Sequence, residues 1–229
     1  IERMSKANRK VGLGVMGFAD VLLRIGLRYG EPASLTLGAR LMRLVDRAAK
    51  DESMKLAREK GKFAKFSGAR WKAQGFAPMR KATLTTGAPT GTISILAGVS
   101  RGLEPIYSAE LTRNVLDGEA LHEIHPSVLG LLREKSQPWS SDLDLSELLG
   151  AAWVTAGQID VESHVRMQAV FQEHCDAAVS KTINLPKNAQ VSDVDCAYRL
   201  AHALGCKGIT VYRDGSKAGQ VLVAACTNC

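Results

Sequence analysis

The sequence predicts an α/β protein whose sheet is incomplete within its 229 residues. A long segment, 32–60, carries apolar residues at the i, i+3, i+4, i+7 spacing of one helix face. Short β-prone apolar segments at 82–86, 181–185 and 208–213 alternate with helical segments. These strands are too few and too scattered to form a complete βαβαβ unit. We therefore expect the sheet to be completed by chain outside this sequence.

The first two helices are predicted from apolar content and from their end signals. Segment 4–26 is rich in apolar residues and glycine and predicts a mostly buried helix that ends near Gly26. The second helix begins at Pro32, a residue suited to a first helical turn, and ends at Gly61, a typical C-terminal glycine.

The rest of the chain predicts shorter elements. In chain order these are a loop over 61–80, a strand over 82–86, a turn at 87–92 that opens a short helix, a strand over 106–113, helices over 117–135, 145–157 and 161–178, a strand over 181–185, a helix over 192–205 and a strand over 208–213. For the last helix we predict Ser192 as N-cap, with Asp195 three residues on. We expect one domain over 1–215 and a flexible tail over 216–229.

Composition excludes several classes of protein. The net charge is +7, from 30 Lys and Arg against 23 Asp and Glu, and the basic residues form no block that would indicate nucleic acid as a partner. No run of about 18 apolar residues is present, so we expect no membrane span. No secretory leader opens the chain, and five cysteines do not make a disulfide scaffold, so we expect a cytoplasmic protein.

Three glycines near the amino terminus match a nucleotide-binding pattern. Gly12, Gly14 and Gly17 satisfy G-x-G-x-x-G, in which the backbone approaches a pyrophosphate closely. The pattern requires a preceding strand, and residues 2–10 do not read as one. An NAD(P)-dependent dehydrogenase is one interpretation. The other is that the small residues allow a helix to pack closely.

A second glycine-containing turn predicts an anion site. Gly87 and the segment from Ala88 to Ser94 follow a short strand and open an apolar helix. Thr90, Thr92 and Ser94 are positioned to cap this helix while its free N–H groups face outward, towards an anion. The alternative is a capped helix without a ligand.

The chain ends on a cysteine pair. Cys226 and Cys229 have the C-x-x-C spacing of a thiol–disulfide exchange site or of half a zinc site. Because no second such pair is present, we favour redox chemistry and predict no metal site. The other cysteines, Cys175, Cys196 and Cys206, read as small core residues.

The isolated titratable residues predict no catalytic set. His122, His125, His164 and His174 show no compelling spacing with an acid or a nucleophile, and we expect structural or surface roles for them. Glu104 follows the glycine loop closely and is expected only to order that turn.

Four blocks of sequence together resemble the adenosylcobalamin-dependent (class II) ribonucleotide reductases, in the order in which that family carries them. The blocks are Ala7 to Asp20, Ala88 to Pro105, His164 to Pro186 and Leu204 to Ser216. The resemblance runs over nearly the whole chain and is weakest at 114–160. It is far more specific than any one of the motifs above.

The resemblance implies a fold and a set of site residues. The fold is the C-terminal part of the family's ten-stranded α/β barrel, incomplete on its own, and the first glycine cluster matches a helix-packing segment of it. Cys226 and Cys229 match tail cysteines that re-reduce the active-site disulfide. The residues matching the loop that holds the substrate phosphates are Ala88, Pro89, Thr90, Gly91, Thr92 and Ser94.

The resemblance also implies a function and its partners. The chain is expected to be a component of a vitamin B12-dependent ribonucleoside-diphosphate reductase. The loop with the radical cysteine lies upstream in the family, and no matching motif occurs here. We therefore expect a larger companion polypeptide that carries this loop and binds most of the adenosylcobalamin, with thioredoxin or a similar dithiol as reductant and ribonucleoside diphosphates as substrates. Besides the dehydrogenase, the alternative is a basic, non-enzymatic binding or regulatory module.

Overall fold

The computed structural model describes residues 1–114, 120–216 and 222–224. Nine α-helices occur in these ranges: α1 Glu2–Asn8, α2 Phe18–Arg24, α3 Pro32–Lys60, α4 Arg70–Ala73, α5 Gly91–Ala97, α6 Pro126–Glu134, α7 Leu145–Leu149, α8 Val161–Gln172 and α9 Val191–Ala203. Short 3-10 turns lie at Phe66–Gly68, Gly150–Ala152 and Ala156–Gln158. Within the described ranges, no helix is both long and apolar enough to cross a membrane.

Five strands in the described ranges form two small sheets. Strands β1 Glu110–Asn114, β2 Ala120–Ile124 and β5 Leu222–Ala224 form an antiparallel sheet in the order β2-β1-β5. Strands β3 Thr182–Leu185 and β4 Thr210–Arg213 pair in parallel, with α9 as the crossover between them. The strands predicted at 181–185 and 208–213 are thus confirmed. The division into a 1–215 domain and a flexible tail stays a prediction.

Two parallel bridges extend the pairing beyond these strands. Leu13 bridges Thr85, and Gly87 bridges Val179, three residues before the start of β3. Around the first bridge, the Leu13 N–H donates to the Leu84 carbonyl at 2.7 Å. The predicted strand at 82–86 is therefore an extended segment that lies between two parallel extended segments, one around Leu13 and one around Val179. The loop that opens helix α5 begins directly after it.

The predicted buried helix over 4–26 is wrong. The chain forms α1, then an extended segment, then α2, with Gly17 as the N-cap at φ 78°. Gly12 and Gly14 lie in the extended segment. A Cβ on Gly12 would overlap the Thr86 methyl group, and one on Gly14 would overlap the Thr86 carbonyl oxygen. The glycines do serve close packing, but between two extended segments rather than between helices.

Several other boundaries differ from their predictions: the predicted strand 106–113 forms as Glu110–Asn114, and the helices predicted over 145–157 and 161–178 end at Leu149 and Gln172. The helix predicted over 117–135 begins only at Pro126, because the residues before it pair as β2 with β1. Helix α9 is capped by Gln190, whose backbone N–H donates to Asp193 at 2.7 Å, and not by Ser192. The long α3 helix, which ends at Gly61, is as predicted.

The main core lies between α2, α3, α6 and α8. The Phe18 and Phe171 rings meet edge to face with centroids 5.1 Å apart. Gly38 of α3 faces them, and a Cβ there would lie 2.8 Å from the Phe171 ring. A smaller cluster lies between α8, β3 and α9, around Val165 and Ile183. These two cores hold β3 and the segments near it in place.

Candidate functional site

The loop that follows the extended segment opens helix α5. Ala88 and Pro89 are exposed, and Thr90 adopts a left-handed conformation with φ 50° at the N-cap position. The first intrahelical hydrogen bond runs from the Ser94 N–H to the Thr90 carbonyl at 3.0 Å. The N–H groups of Gly91, Thr92 and Ile93 precede that bond, so they have no partner within the helix. We refer to residues 88–94, which the sequence predicts as the phosphate-binding segment, as the phosphate loop.

The hydroxyl groups of this loop do not act as predicted. No side chain caps α5 among the described residues. The Thr90 hydroxyl instead accepts a hydrogen bond from the Gly102 N–H at 2.8 Å, and the buried Ser94 hydroxyl donates to the Gly91 carbonyl at 3.2 Å. Because the Thr90 oxygen accepts this bond, its own proton remains available to a third group.

The turn over 100–104 is anchored on several sides. Buried Asp20 accepts both the backbone N–H and the hydroxyl of Ser100, each at 2.7 Å, and the Ser127 hydroxyl at 2.5 Å. The Tyr29 hydroxyl donates to the Leu103 carbonyl at 2.7 Å. The turn behind the phosphate loop is therefore held firmly against α2 and α6.

Glu104, at the end of this turn, belongs to a buried polar cluster. Its carboxylate accepts the Lys181 ammonium at 2.9 Å and the Thr182 N–H at 2.7 Å. The same ammonium contacts Nδ1 of His164 at 2.9 Å, and Nε2 of His164 contacts the Ala156 carbonyl at 3.1 Å. The neutral His164 ring thus carries its proton on Nε2 and accepts through Nδ1. We call Glu104, Lys181 and His164 the buried cluster.

The environment of the buried cluster shifts its acid–base properties. Burial, followed by the Lys181 charge, lowers the pKa of His164 to about 3. Burial also lowers the pKa of Lys181, against the opposing effect of Glu104. Burial, with Glu104 as a second cause, raises the pKa of Tyr29 well above its ordinary value. The cluster therefore places a histidine that is neutral at pH 7 beside the Glu104–Lys181 salt bridge.

The sequence does not predict the buried cluster. Taken one at a time, Glu104 and His164 suggest only structural or surface roles, and Lys181 suggests none. The available signal is shared position: all three residues lie inside the sequence blocks that carry the family resemblance.

A cavity of about 600 Å³ opens beside the phosphate loop and the buried cluster. Pro89 and Ser94 contribute from the loop, and Glu104 and Thr182 from the buried cluster and β3. Further polar and aromatic side chains line it: Tyr107, Glu123, His125, Ser180, Asn184 and Tyr212. Its volume is in the range of pockets that enclose small organic ligands.

Two titratable groups of the cavity wall are shifted by their surroundings. Burial raises the pKa of Tyr107, with smaller contributions from Tyr212 and Asp214. Burial lowers the pKa of His125, although Asp20 lies 3.7 Å from its Nδ1 and opposes the shift. At neutral pH the cavity wall therefore presents the protonated phenol of Tyr107 and the neutral imidazole of His125. Both groups are suited to contact uncharged parts of a ligand.

The first glycine cluster is not a ligand site. The Thr86 side chain occupies the space beside Gly12, and the Thr86 carbonyl occupies the space beside Gly14. A Cβ on Gly17 would lie 3.3 Å from Val99. The element before them is helix α1, not a strand. Both observations argue against the dinucleotide interpretation, because a pyrophosphate needs open backbone at these positions.

Two of the three described cysteines are unsuited to thiolate chemistry. Burial raises the pKa of Cys175 to about 11 and also raises that of Cys206. Cys196 is a free, exposed thiol on the outer side of α9, so the prediction of a core position is wrong for this residue. The predicted redox pair, Cys226 and Cys229, lies outside the described residues. In the part of the chain that is described, no group of three or more His, Cys, Asp or Glu side chains is arranged to hold a metal ion.

Comparison with known proteins shows relatives along nearly the whole chain. The family model for the ribonucleotide reductase barrel domain matches residues 1–79 and 76–212. The chain is 42% identical to the vitamin B12-dependent ribonucleoside-diphosphate reductase of Thermoplasma acidophilum over 98% of its own length and 31% of the relative's. For the enzyme of the same name from Mycobacterium tuberculosis (strain CDC 1551 / Oshkosh), the identity is 41%, over 96% of this chain and 33% of the relative. The chain thus spans about a third of the length of these relatives.

A solved structure shows the same fold. The class Id ribonucleotide reductase alpha subunit of Actinobacillus ureae superimposes with a TM-score of 0.74 over 93% of this chain and 40% of that one, at 23% identity. The fold expected from the sequence, a part of the reductase barrel, is confirmed by this match and by the family model. The chain therefore belongs to the ribonucleotide reductase family, and its described residues form part of the barrel domain.

Proposed function

We propose that the chain is a component of a vitamin B12-dependent ribonucleoside-diphosphate reductase and that it supplies the substrate-phosphate loop and the tail thiols. The observation that carries the proposal is the position of the phosphate loop, two of whose residues, Pro89 and Ser94, line the 600 Å³ cavity. The names of relatives at 41–42% identity supply the reaction and the substrate class.

The phosphate loop can bind an anion through backbone groups. The free N–H groups of Gly91, Thr92 and Ile93 lie at the start of α5, where aligned peptide dipoles favour negative charge. The Thr90 hydroxyl adds a donor, because Gly102 already occupies one of its acceptor positions. In this arrangement the diphosphate binds the loop while the ribose and the base extend into the cavity.

The cofactor of the proposed reaction does not fit within the described residues. Adenosylcobalamin combines a corrin ring, a nucleotide tail and an adenosyl group, and a cavity of about 600 Å³ holds only a ligand of ordinary drug size. We therefore assign most cobalamin contacts to the larger companion polypeptide, which also carries the radical cysteine.

The tail cysteines complete the redox cycle in this proposal. Each reduction of a ribonucleotide converts two active-site thiols into a disulfide. Cys226 and Cys229 then pass two electrons to that disulfide by thiol–disulfide exchange and become a disulfide themselves. Thioredoxin or a similar dithiol reduces the tail disulfide. A reducing, cytoplasmic setting belongs to the same proposal.

Reconstitution tests the proposed function. Formation of dCDP from CDP is measured with the larger polypeptide, adenosylcobalamin and a dithiol, with and without this chain. We expect turnover only when both polypeptides are present. Full activity of the larger polypeptide alone would overturn the proposal.

Two sets of variants separate the two parts of the site. Thr90→Val should raise KM for CDP with little change in kcat, because it removes binding made in both the ground and the transition state. Thr36→Val is the matched control, since its hydroxyl donates to the Pro32 carbonyl on the exposed side of α3.

Replacing Cys226 and Cys229 with Ser should leave a single round of reduction and abolish further turnover with thioredoxin. Multiple turnovers by that variant would contradict the tail assignment.

A further inference from the structure

The Lys181 side chain is fully buried and makes three polar contacts. Its ammonium lies 2.9 Å from a Glu104 carboxylate oxygen, from Nδ1 of His164 and from the Thr182 carbonyl. A lysine ammonium has three N–H donors, and these contacts use all of them. Lys181 therefore acts on its neighbours and not on a ligand in the cavity.

The carboxylate of Glu104 is held at both oxygens. One oxygen accepts from Lys181, and the other accepts the Thr182 N–H at 2.7 Å. Its side chain is nevertheless 23% exposed and lines the cavity. The end of the 100–104 turn is thus tied to the first residue of β3.

The same turn is also tied to the phosphate loop. The Gly102 N–H donates to the Thr90 hydroxyl at 2.8 Å. Gly102 has φ 46°, and a Cβ there would lie 3.1 Å from the Ala88 carbonyl, so turn and loop are in close contact. A displacement of Glu104 would therefore move Gly102, and with it the N-terminal end of α5.

We propose that Glu104, held in place by Lys181, is a positioning residue that fixes the phosphate loop relative to β3 and the cavity. This inference rests on the proposed function, because it assigns a purpose to the position of the phosphate loop. Stability alone does not require the pair, since buried ion pairs are often replaced by apolar residues without loss of stability. What an apolar pair lacks is the fixed geometry of a carboxylate bound at both oxygens.

The test uses the double variant Glu104→Gln with Lys181→Met. The single Glu104→Gln change would leave a buried ammonium without a counter-ion and could prevent folding. The double variant removes both charges, and the side-chain amide that replaces the carboxylate still offers an oxygen to the Thr182 N–H. The control is Asp46→Asn with Lys50→Met, because it likewise removes both charges of a part-buried ion pair, here within α3.

Two readouts are made on the whole chain: backbone hydrogen exchange and the affinity for CDP and for pyrophosphate. We expect the double variant to remain folded and to melt below the control, because the His164 Nδ1 and the Thr182 carbonyl lose their donor. We expect exchange at the Gly102 and Ser94 amides to be about tenfold faster, with α9 unchanged, because the loop opens locally. We expect CDP to bind about tenfold more weakly to the double variant, and we expect no such loss in the control.

The outcomes separate this inference from the proposed function. Unchanged exchange at Gly102 and Ser94 would overturn the positioning role. Faster exchange combined with parental CDP affinity would also overturn it, because the loop position would then not matter for binding. Faster exchange in a chain whose parent binds neither CDP nor pyrophosphate would support the mechanical coupling and refute the phosphate-loop function.

Discussion

His164 makes the stability of the protein depend on pH in a predictable way. The ring is fully buried between the Lys181 ammonium, which donates to Nδ1, and the Ala156 carbonyl, which accepts from Nε2. A second proton on the ring would point at the ammonium. Burial and the Lys181 charge therefore lower the pKa of His164 from 6.5 to about 3.

The sign and the size follow from proton linkage. Between these two pKa values, the unfolded chain binds a proton at His164 that the folded chain does not bind. Stability contributed by the neutral ring is thus complete above pH 6.5 and is lost as the pH falls below that value. The loss is about 1.4 kcal/mol per pH unit, so His164 alone should lower the free energy of unfolding by about 2 kcal/mol between pH 7.5 and 5.0.

Urea denaturation at the two pH values measures this loss. The variant His164→Asn keeps an oxygen for Lys181 but has no group that titrates in this range. We expect the parent to lose about 2 kcal/mol more than His164→Asn between pH 7.5 and 5.0. The control His202→Asn, on the exposed side of α9, should lose as much as the parent. Equal losses in the parent and His164→Asn would refute the reasoning. His125, whose pKa is also lowered, is present in all three proteins and cancels in the comparison.

Three further substitutions test the packing around the site, each by urea denaturation at pH 7.5. Gly14→Ala should destabilise the protein by about 2–3 kcal/mol, because its methyl group would overlap the backbone carbonyl of Thr86. A loss of stability below about 0.5 kcal/mol would contradict this close approach. Gly38→Ala should lower the free energy of unfolding by about 1–2 kcal/mol, although alanine has the better helix propensity, because the new methyl group would lie 2.8 Å from the Phe171 ring. Unchanged stability would show that the ring moves away freely. Asp20→Asn should lower the free energy of unfolding by about 2–3 kcal/mol, because one carboxylate oxygen that accepts from Ser100 or Ser127 would become an amide donor. Unchanged stability would mean that these buried N–H and O–H groups find other partners.

Local signals predicted those elements whose residues agree with their own secondary structure. The α3 helix has one apolar face, a proline at its first turn and Gly61 after its end, and it forms over Pro32–Lys60 as predicted. The segments around Ile183 and Val211 form β3 and β4, because short apolar runs between turn residues favour strands. In these segments, propensity and tertiary packing point to the same conformation.

The wrong predictions share a physical cause. Apolar content over 4–26 suggested a helix, but the segment around Gly12 and Gly14 is extended because it pairs with residues 83–86. The residues before Pro126 are drawn into β2 by pairing with β1. In both cases a partner elsewhere in the chain supplies hydrogen bonds that a local pattern cannot reveal.

By itself, the sequence determined the family and singled out the segment that we propose as the phosphate loop, because the residues of each block are contiguous and their identities are specific. Only the tertiary structure decided how that loop is held. Glu104 and Lys181 are 77 residues apart and His164 and Lys181 are 17 apart, yet they meet in one buried cluster behind the loop. Such a cluster depends on burial, which removes water as the competing partner and sets the pKa values, and burial is a property of the folded chain.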